Sequence, residues 1–583
     1  MAALPASTSH TIVISMQQAR LRWSILASFS LFTVLSLHVP CFAAASWNDQ
    51  GMVATVHPLA TQAGVNALRN GGNAVDAAIA AALTLGVVDG HNSGIGGGCF
   101  ILIRSADGAF AAIDGRETAP LKAHRDMYLR DGKPQPQLSK LGALASGTPG
   151  AIAAYDLALR KHGRLNLAKL LLPAAEIAEN GFPIDRPYAA DLKATAKLLA
   201  RFPGTAAVLL KPDGTTYVEG EVLKLTDLAK AYRKIAAHGT SWFYHGPFAA
   251  AVDRWMAVNG GILSREDFAA YRPRERAPLT TTYRDVTVVG FPPPSSGGIH
   301  VAQMLQMLEP FDLRQMYHTD RAQFVHVVAE AMKLAFADRA HWLGDADYAP
   351  VPRGLIDREY TADLARRINV TRVTGIEAHG MPPAAATNVF GGKHTTHIAA
   401  ADAEGNWVAI TATVNTTFGS KVIVPGTGIV MNNEMDDFSI QPGVPNAFGL
   451  IGAEANAVAP GKRPLSSMSP TIVLRDGQPI LTLGAAGGPT IINQVLLGII
   501  RRIDLQQDLE YALVAPRFHH QWRPDTLKVE SDFSKTVLDS LKRRGHELNV
   551  VKRIGVTQAI DRSPDGRFHG VHDPRVPGNA AGP

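Results

Sequence analysis

The sequence predicts a layered fold of the mixed α/β (α+β) class, in which helices pack on sheets. Segments with the alternation of strands and segments with helical periodicity recur along the chain, separated by glycine-rich turns. No repeat, low-complexity tract or long linker divides the 583 residues, so the elements form one continuous unit. The composition is 46% hydrophobic, which suffices for a large core in a chain of this length.

The first 45 residues predict an export signal. They contain no acidic residue and two basic ones, Arg20 and Arg22, which precede an apolar stretch at 23–37. A small-residue cleavage site follows at 40–45, as in a secretory signal peptide. Translation from Met16 would give a more ordinary signal, so Met16 is an alternative start.

A membrane anchor is the alternative interpretation of this leader, but its apolar run is short for a membrane span. A lipoprotein signal at Cys41 is a second alternative, and Pro40 and His38 fit it poorly. We therefore expect cleavage near Ala45, a periplasmic or secreted protein, and no membrane anchor in the mature form.

Cysteine content and net charge bear on how the mature chain is stabilised and on which binding partners the sequence indicates. Removal of the leader leaves Cys99 as the only cysteine, so the mature chain cannot form an intramolecular disulfide. The formal net charge is +6, and loss of the two leader arginines lowers it to +4. Since no basic cluster is present, neither nucleic-acid binding nor membrane-surface binding is indicated.

The mature part opens with residues 51–88, where an alanine-rich stretch after Asn73 predicts a buried helix packed on a sheet. The glycines at 94–98 predict close backbone packing and not a phosphate loop, because no Gly-Lys-Ser/Thr follows them. Two strands are predicted next, at 100–104 and at 110–113.

Residues 120–290 are predicted to be largely helical, with helical periodicity at 151–159 and at 165–178, the latter interrupted at Pro173. A rigid turn at 291–298 leads into a helix, and a further helix carries residues 330–339. Residues 372–394 predict a loose, solvent-exposed segment.

The segment 405–415 predicts a strand with two unlike faces. Val408, Ile410 and Ala412 share one face, whereas Thr411, Thr413 and Asn415 line the other. A half-buried strand with a solvated polar face explains this pattern. The alternative is that the hydroxyls and the amide face a ligand.

Five short blocks follow one another in the last third of the chain: HTTH at 394–397, VNTTFG at 414–419, NNEMDDF at 432–438, PLSSMSPT at 464–471 and GAAGG at 484–488. In this order they resemble the γ-glutamyltranspeptidase family of N-terminal-nucleophile hydrolases. The resemblance extends from Gly51 to Arg575. It implies a four-layer αββα sandwich of the N-terminal-nucleophile type.

The resemblance also implies autocatalytic cleavage between His394 and Thr395. A large subunit (46–394) and a small catalytic subunit (395–583) would then form a heterodimer, as one continuous αββα unit. Thr395 would become an N-terminal nucleophile whose own α-amino group serves as its base, since the reference pKa of that group lies near 8.

Family roles carry over to matching positions of this chain. Thr413 would hydrogen-bond the nucleophile, and the backbone N–H groups of Gly487 and Gly488 would form the oxyanion hole. The substrate α-amino group would be bound by Asn415, Glu434 and Asp437, and its carboxylate by Arg116, Ser466 and Ser467. The aromatic lid residue is Phe448. Alone, each feature has an ordinary interpretation, such as a surface ion pair for Arg116 or a plain turn for Gly487.

This chain departs from common family patterns at three positions in or next to the implied site. Glu434 stands where many bacterial relatives have Gln, Gly115 where a relative usually has Phe, and Phe448 where many have Tyr. Asp436 and Asp437 are adjacent, so an extended segment would point only one of them into a pocket, and the family match selects Asp437.

The implied activity is that of a γ-glutamyltransferase and glutathione hydrolase. Its partners would be small molecules: glutathione, other γ-glutamyl compounds, and amino acid or dipeptide acceptors. We expect no cofactor and no catalytic metal, since neither an HExxH helix nor a CxxC pair is present. No Gly-x-Ser-x-Gly elbow occurs, which disfavours a serine hydrolase of the α/β type. The alternatives are a glutaryl or cephalosporin acylase of the same fold, which Asp437 argues against, and a non-catalytic exported binding protein.

Overall fold

Two seven-stranded antiparallel sheets form the centre of the structure, a computed structural model that describes residues 45–383 and 397–583. The strands of the described residues are β1 (Ala45–Asn48), β2 (Gly51–Thr55), β3 (Gly98–Arg104), β4 (Phe110–Gly115), β5 (Leu129–Arg130), β6 (Lys133–Pro134), β7 (Phe182–Pro183), β8 (Val222–Leu223), β9 (Arg274–Arg276), β10 (Leu279–Tyr283), β11 (Val286–Gly290), β12 (Ile398–Asp402), β13 (Trp407–Thr413), β14 (Thr471–Arg475), β15 (Gln478–Ala486), β16 (Phe518–His519), β17 (Leu527–Glu530), β18 (Leu548–Val551), β19 (Val556–Arg562), β20 (Phe568–His572) and β21 (Asn579–Ala581).

The helices of the same residues are α1 (Pro58–Arg69), α2 (Ala74–Val88), α3 (Pro136–Lys140), α4 (Ala151–His162), α5 (Leu167–Asn180), α6 (Arg186–Leu199), α7 (Pro203–Leu209), α8 (Thr226–His238), α9 (Ser241–Tyr244), α10 (Pro247–Val258), α11 (Arg265–Ala270), α12 (Gly297–Leu308), α13 (Leu313–Thr319), α14 (Arg321–Trp342), α15 (Arg358–Arg366), α16 (Thr490–Ile503), α17 (Leu509–Val514) and α18 (Lys535–Arg543). Helices α3 to α11 lie within residues 120–290, the region predicted to be largely helical, and the strands predicted at 100–104 and 110–113 are confirmed as β3 and β4.

The first sheet has the order β1-β20-β19-β15-β14-β11-β10, and the second has the order β21-β2-β12-β13-β3-β4-β9. Phe100, Trp407 and Phe291 belong to a buried apolar cluster between the sheets, and the rings of Phe100 and Phe291 stack at 4.1 Å. A second cluster joins α2, α5 and α8 to the outer face of β13, and a third joins α12, α14 and α16 to the other sheet. The layers therefore run helix, sheet, sheet, helix, and the predicted αββα sandwich is confirmed.

Helix α2 shows how the alanine-rich sequence produces this packing. Asn73 and Asp76 form a reciprocal capping box at its start, and all residues from Ala74 to Val88 are buried. Small side chains let the helix lie close to α1 and to β12 and β13.

Helix α5 contradicts one expectation, since it continues through Pro173. The proline removes one backbone donor, but Leu170, Leu171, Ala174 and Ala175 are buried on either side of it. Burial of this face outweighs the loss of one helical hydrogen bond, and the periodic pattern was the better guide.

The glycines at 94–98 pack backbone against backbone, as the sequence indicated. A Cβ at Gly97 would lie 1.8 Å from the carbonyl oxygen of Thr413, and a Cβ at Gly96 would lie 2.0 Å from that of Val430. Only a hydrogen atom fits at either position, so these glycines allow the end of β13 to pack directly against the backbone of residues 94–98.

Some predicted features lie outside the described residues. These are the export leader apart from Ala45, and the cleavage pair His394 and Thr395. Residues 367–383 contain no helix or strand. Within the described ranges, no helix has the length and apolar character that a membrane span requires.

Candidate active site

A cavity of about 480 Å³ opens beside the end of β13. Nine of the predicted site residues line it: Thr413, Asn415, Glu434, Asp437, Phe448, Ser466, Ser467, Gly487 and Gly488. Arg116 is buried directly behind two of them, and Thr395 lies outside the described residues. The fold therefore brings side chains from distant blocks of the sequence to one place.

The two adjacent aspartates lie in a short 3₁₀ helix, Glu434–Asp437, and not in the extended segment considered from the sequence, yet only one of them lines the cavity. Asp437 lines the cavity. Asp436 lies beside it but outside the cavity, where its carboxylate accepts hydrogen bonds from the Ser139 hydroxyl at 2.8 Å and from the Ala447 N–H at 2.8 Å. Burial raises the pKa of Asp436 to about 6. Asp436 thus supports the loop, whereas Asp437 is available to a ligand.

Arg116 is fully buried and surrounded by acids. Its guanidinium donates to Glu434 and, at 2.7 Å, to Asp437 Oδ2, and it also lies 3.7 Å from Glu117 Oε2. Its Nε–H donates to the carbonyl of Pro464 at 3.3 Å. In this state the arginine is paired with the acids, and it would have to exchange one of these partners to bind a substrate carboxylate.

The charges at this end of the cavity are unbalanced. Three carboxyl groups, those of Glu117, Glu434 and Asp437, contact the guanidinium of Arg116, and a further cation, Arg339, attracts Asp437 from the Ser467 side. Burial raises the pKa of Glu434 well above its usual range, and it also raises the pKa of Glu117 and of Asp437 despite the attraction of Arg116. An additional cation bound here would relieve this excess of negative charge.

Ser466 and Ser467 provide hydroxyl groups beside Asp437. The Ser467 oxygen accepts a hydrogen bond from Arg339 Nη2 at 3.1 Å, which leaves the hydroxyl proton free to donate. Arg339 on α14 also donates to Ser296 Oγ at 3.0 Å, so it is held from two sides. The sequence placed Arg339 on a helix but did not indicate this role.

Thr413 and Asn415 lie at the end of β13. The Asn415 N–H donates to Thr413 Oγ1 at 2.8 Å, so the threonine hydroxyl can direct its own proton elsewhere. The Asn415 side-chain amide donates to the carbonyl of Asn433 at 2.9 Å. Asn415 has a φ of +78°, a left-handed conformation that costs an L-residue energy and that these two hydrogen bonds help to hold.

Gly487 and Gly488 form the turn that leads into α16. The Thr490 hydroxyl donates to the Gly487 carbonyl at 2.8 Å, and the Gln494 amide donates to the Ala486 carbonyl at 3.0 Å. Among the described residues, neither glycine N–H has a hydrogen-bond acceptor. Two free donors next to a helix N-terminus are suited to binding a developing negative charge.

The loop at 442–449 covers this turn. A Cβ at Gly488 would lie 2.7 Å from the Phe448 ring, so the ring rests directly on the glycine. Asn446 donates to Asp437 Oδ1 at 3.3 Å and accepts from the Phe448 N–H at 3.0 Å. The loop is thereby joined to the acid that the family match assigns to the substrate ammonium.

Two buried polar residues of the cavity wall were not predicted. In His397 both ring nitrogens, and in Gln558 both amide atoms, lack hydrogen-bond partners in the part of the chain that the structure describes. Gln558 pairs with Gly484 across β15 and β19, and a Cβ at Gly484 would lie 2.2 Å from His397 Nδ1. A glycine inside a strand was the only sequence signal for this close contact.

One group of possible metal ligands occurs among the described residues, outside this cavity. His326, Glu330 and His546 place one ligand atom each within 4.8 Å of one another. His326 Nδ1 and His546 Nε2 already share a hydrogen bond of 2.8 Å, and Lys333 Nζ lies 2.9 Å from Glu330. A cation there would have to displace that hydrogen bond and face Lys333, so we assign the group to packing between α14 and α18.

Comparisons with known proteins agree with this geometry. The family model described as Gamma-glutamyltranspeptidase matches residues 60–583. The glutathione hydrolase proenzyme of Escherichia coli K12 is 44% identical over 532 residues, which are 90% of each chain. The cephalosporin acylase of Bacillus halodurans has a TM-score of 0.82 at 29% identity and covers 95% of this chain and 99% of its own. A chain of Helicobacter pylori gamma-glutamyltranspeptidase has a TM-score of 0.54 at 38% identity and covers 55% of this chain and 92% of its own.

Proposed function

This chain belongs to the gamma-glutamyltranspeptidase family, and from that premise we propose which of its residues perform the glutathione hydrolase and γ-glutamyltransferase reactions. One observation carries the assignment. The carboxyl-rich end, with Glu434 and Asp437, lies in the same cavity as Gly487 and Gly488, whose N–H groups have no acceptor within the described ranges. A γ-glutamyl group needs a cation site and an oxyanion site a short distance apart.

The substrate ammonium would bind at Asp437 and Glu434, with Asn415 beside them. Its positive charge compensates the carboxyl excess around Arg116, so binding it is favourable in a buried site. The substrate carboxylate would receive the hydroxyl donors of Ser466 and Ser467. It would also attract Arg116, which can donate two parallel hydrogen bonds once its acids are engaged by the ammonium.

The chemistry follows from this placement. The Thr395 hydroxyl attacks the γ-carbonyl and gives its proton to its own α-amino group, while the Thr413 hydroxyl orients it. The N–H groups of Gly487 and Gly488 stabilise the oxyanion. Cleavage of the amide bond leaves a γ-glutamyl ester on Thr395, with the proton delivered to the leaving amine. Water or an acceptor amine then attacks this ester.

The active form would be a heterodimer made from one precursor. The E. coli relative is named a proenzyme, and the H. pylori chain aligns with about half of this chain, which fits two subunits cut from one polypeptide. We place the cut between His394 and Thr395. The leader at 1–45 supports export to the periplasm or the medium.

The test uses the purified wild-type protein. Denaturing electrophoresis should show two chains with the masses of residues 46–394 and 395–583. Incubation with glutathione should release glutamate and cysteinylglycine, and added glycylglycine should divert part of the product to γ-glutamylglycylglycine. A single uncut chain without either product would refute the proposal and would leave a non-catalytic binding protein.

An acylase acting on glutaryl groups is the second candidate, because the B. halodurans relative of the same fold is described as a cephalosporin acylase. A glutaryl group has the carboxylate of γ-glutamate but no α-ammonium. The excess of negative charge at Asp437 and Glu434 would then remain uncompensated, so the site favours the γ-glutamyl group.

A further inference from the structure

The side of the cavity opposite Asp437 carries a second set of charged residues. We call it the acid wall and define it by Asp89, which follows α2, and by Asp185 and Asp191 at the start of α6. His91 lies among them, and Arg553 lines the same cavity from the loop before β19. None of these residues takes part in the assignments above.

Backbone hydrogen bonds place the acid wall beside the catalytic strand. The N–H of Val414 donates to the Asn92 carbonyl at 3.1 Å, and the N–H of Phe418 donates to the His91 carbonyl at 2.7 Å. The N–H of Asn433 donates to the Val414 carbonyl at 3.1 Å from the Asp437 side. Residues 414–418 therefore lie between the two ends. In the proposed reaction, a leaving amine or an acceptor amine on the side of the γ-carbonyl away from Asp437 would face the acid wall.

His91 is a buried polar group with one ring nitrogen satisfied and one without a hydrogen bond, since its Nε2 lies 3.0 Å from the Asn92 amide nitrogen. It is 2% exposed and lines the cavity, and its Nδ1 makes no hydrogen bond to any described residue. The nearest carboxylate oxygens lie 3.5 Å from Nδ1 in Asp89 and 3.6 Å from Nε2 in Asp191. Buried polar atoms of this kind normally have partners, so a ligand that supplies one is expected here.

The acid wall is also short of positive charge. Burial raises the pKa of Asp89 to about 8, with Asp185 and Asp191 adding to the shift. Burial raises the pKa of Asp185 and of Asp191 as well, although Arg553 and Lys421 oppose this at Asp191. Lys421 is already engaged, since its ammonium donates to the Gly419 carbonyl at 2.8 Å.

We propose that the acid wall is an acceptor subsite for amino acids whose side chain carries an ammonium or guanidinium group. This rests on the proposed function. The attacking amine must be neutral and so cannot form an ion pair with the acid wall, which leaves these carboxylates to pair with a second, charged group of the acceptor. Arg553 would bind the acceptor carboxylate. The acceptor amine forms an amide bond to the γ-carbonyl, the ester bond to Thr395 breaks, and the amine proton returns to the Thr395 oxygen through its α-amino group.

L-Arginine and L-citrulline test the subsite, because they have nearly the same shape and differ in side-chain charge. Each is offered as acceptor to the mature wild-type enzyme with γ-glutamyl-p-nitroanilide as donor, and the γ-glutamyl products are separated and quantified. The kcat/KM for arginine should exceed that for citrulline by about ten-fold or more, the factor that corresponds to about 1.4 kcal/mol. The arginine-to-citrulline ratio cancels any change in donor binding or in acylation.

The substitution Asp191→Asn should bring this ratio to within about two-fold, and Asp191→Lys should bring it below one. The control Asp126→Asn changes an exposed aspartate away from the cavity, and its ratio should equal that of the wild type. Equal use of arginine and citrulline by a wild-type enzyme that cleaves itself and hydrolyses glutathione would overturn the subsite and leave the proposed function standing. A protein that does neither would overturn both.

Discussion

The two ends of the cavity carry similar charges but differ in how firmly these charges are held. At the Asp437 end, Asp437 accepts hydrogen bonds from Arg116 and Asn446, and Glu434 accepts one from Arg116. At the acid wall, Asp89 accepts a hydrogen bond from the Asn92 amide at 2.9 Å and Asp185 accepts one from the Tyr188 N–H at 2.8 Å. The loosely held group is Asp191, whose carboxylate has no side-chain hydrogen bond among the described residues and lies 3.6 Å from His91.

A prearranged end loses little entropy on binding, whereas a loose one must be ordered by its ligand. The Asp437 end should therefore recognise a single donor group strictly. The acid wall should select acceptors by charge and tolerate variation in their shape. Substitutions can therefore separate the two ends of the cavity by altering one end, both ends, or the strand between them.

The largest effect is expected from Thr395→Ala. It removes the proposed nucleophile, so the protein should remain one uncut chain with no hydrolysis and no transfer. Thr396→Ala is the matched control, since it removes the neighbouring hydroxyl and should leave cleavage and activity intact. Gel analysis and glutathione assays measure both variants. Two fragments of the expected masses from Thr395→Ala would show that the cut occurs elsewhere or through another protease.

Substitution of Gly97 should impair both ends by displacing the strand between them. A Cβ there would lie 1.8 Å from the Thr413 carbonyl, so Gly97→Ala must push back the end of β13. We expect a loss of about 1–3 kcal/mol in stability and a severe loss of activity. Gly375→Ala, at an exposed position with open space around it, is the control. Thermal unfolding and glutathione hydrolysis measure the difference, and normal values for Gly97→Ala would contradict the packing argument.

Asp437→Asn should affect the donor end alone. It removes the negative charge that would pair with the substrate ammonium, an interaction that typically contributes about 1.5–3 kcal/mol. The kcat/KM for glutathione should fall about 10- to 100-fold while the fold is retained. Asp436→Asn is the adjacent control and should change this value little, since Asp436 lies outside the cavity. Unchanged KM and kcat in Asp437→Asn would remove Asp437 from the site.

Phe448→Tyr should produce the smallest change. The phenylalanine ring covers Gly488 but cannot make the hydrogen bond of a tyrosine hydroxyl, which would hold the lid by about 0.5–1.5 kcal/mol. A firmer lid admits water to the acyl-enzyme less often, so the ratio of transfer to hydrolysis should rise. Product ratios with glutathione and glycylglycine measure it. A constant or lower ratio would show that the missing hydroxyl does not control water access.

The αββα fold and nine of the cavity-lining residues were predicted through the family resemblance, which rests on short blocks of sequence and carries roles over to matching positions. The alanine pattern of α2 is a local feature and describes the folded chain correctly. The solvated face expected for β13 is wrong, because Thr411 is fully buried and Thr413 and Asn415 line the cavity. The interruption at Pro173 was wrong because burial of α5 outweighs one missing hydrogen bond.

Long-range pairings could not be predicted in the same way. Arg116 and Asp437 are 321 positions apart, and nothing local indicates that the guanidinium pairs with the acids. Asp89 and Asp191 come from two separate helical segments, and only the fold brings both to His91. His397 and Gln558 are likewise ordinary polar residues until the two sheets bring them to one cavity.

The central claim is that the Asp437 end recognises the α-ammonium of a γ-glutamyl group. Its most direct test compares γ-glutamyl-p-nitroanilide with glutaryl-p-nitroanilide, which lacks only that ammonium. The wild-type kcat/KM should favour the γ-glutamyl compound by about 10- to 100-fold, the equivalent of one charge-assisted contact, and Asp437→Asn should remove most of this preference. Equal or faster cleavage of the glutaryl compound by the wild-type enzyme would contradict the claim and identify the protein as an acylase.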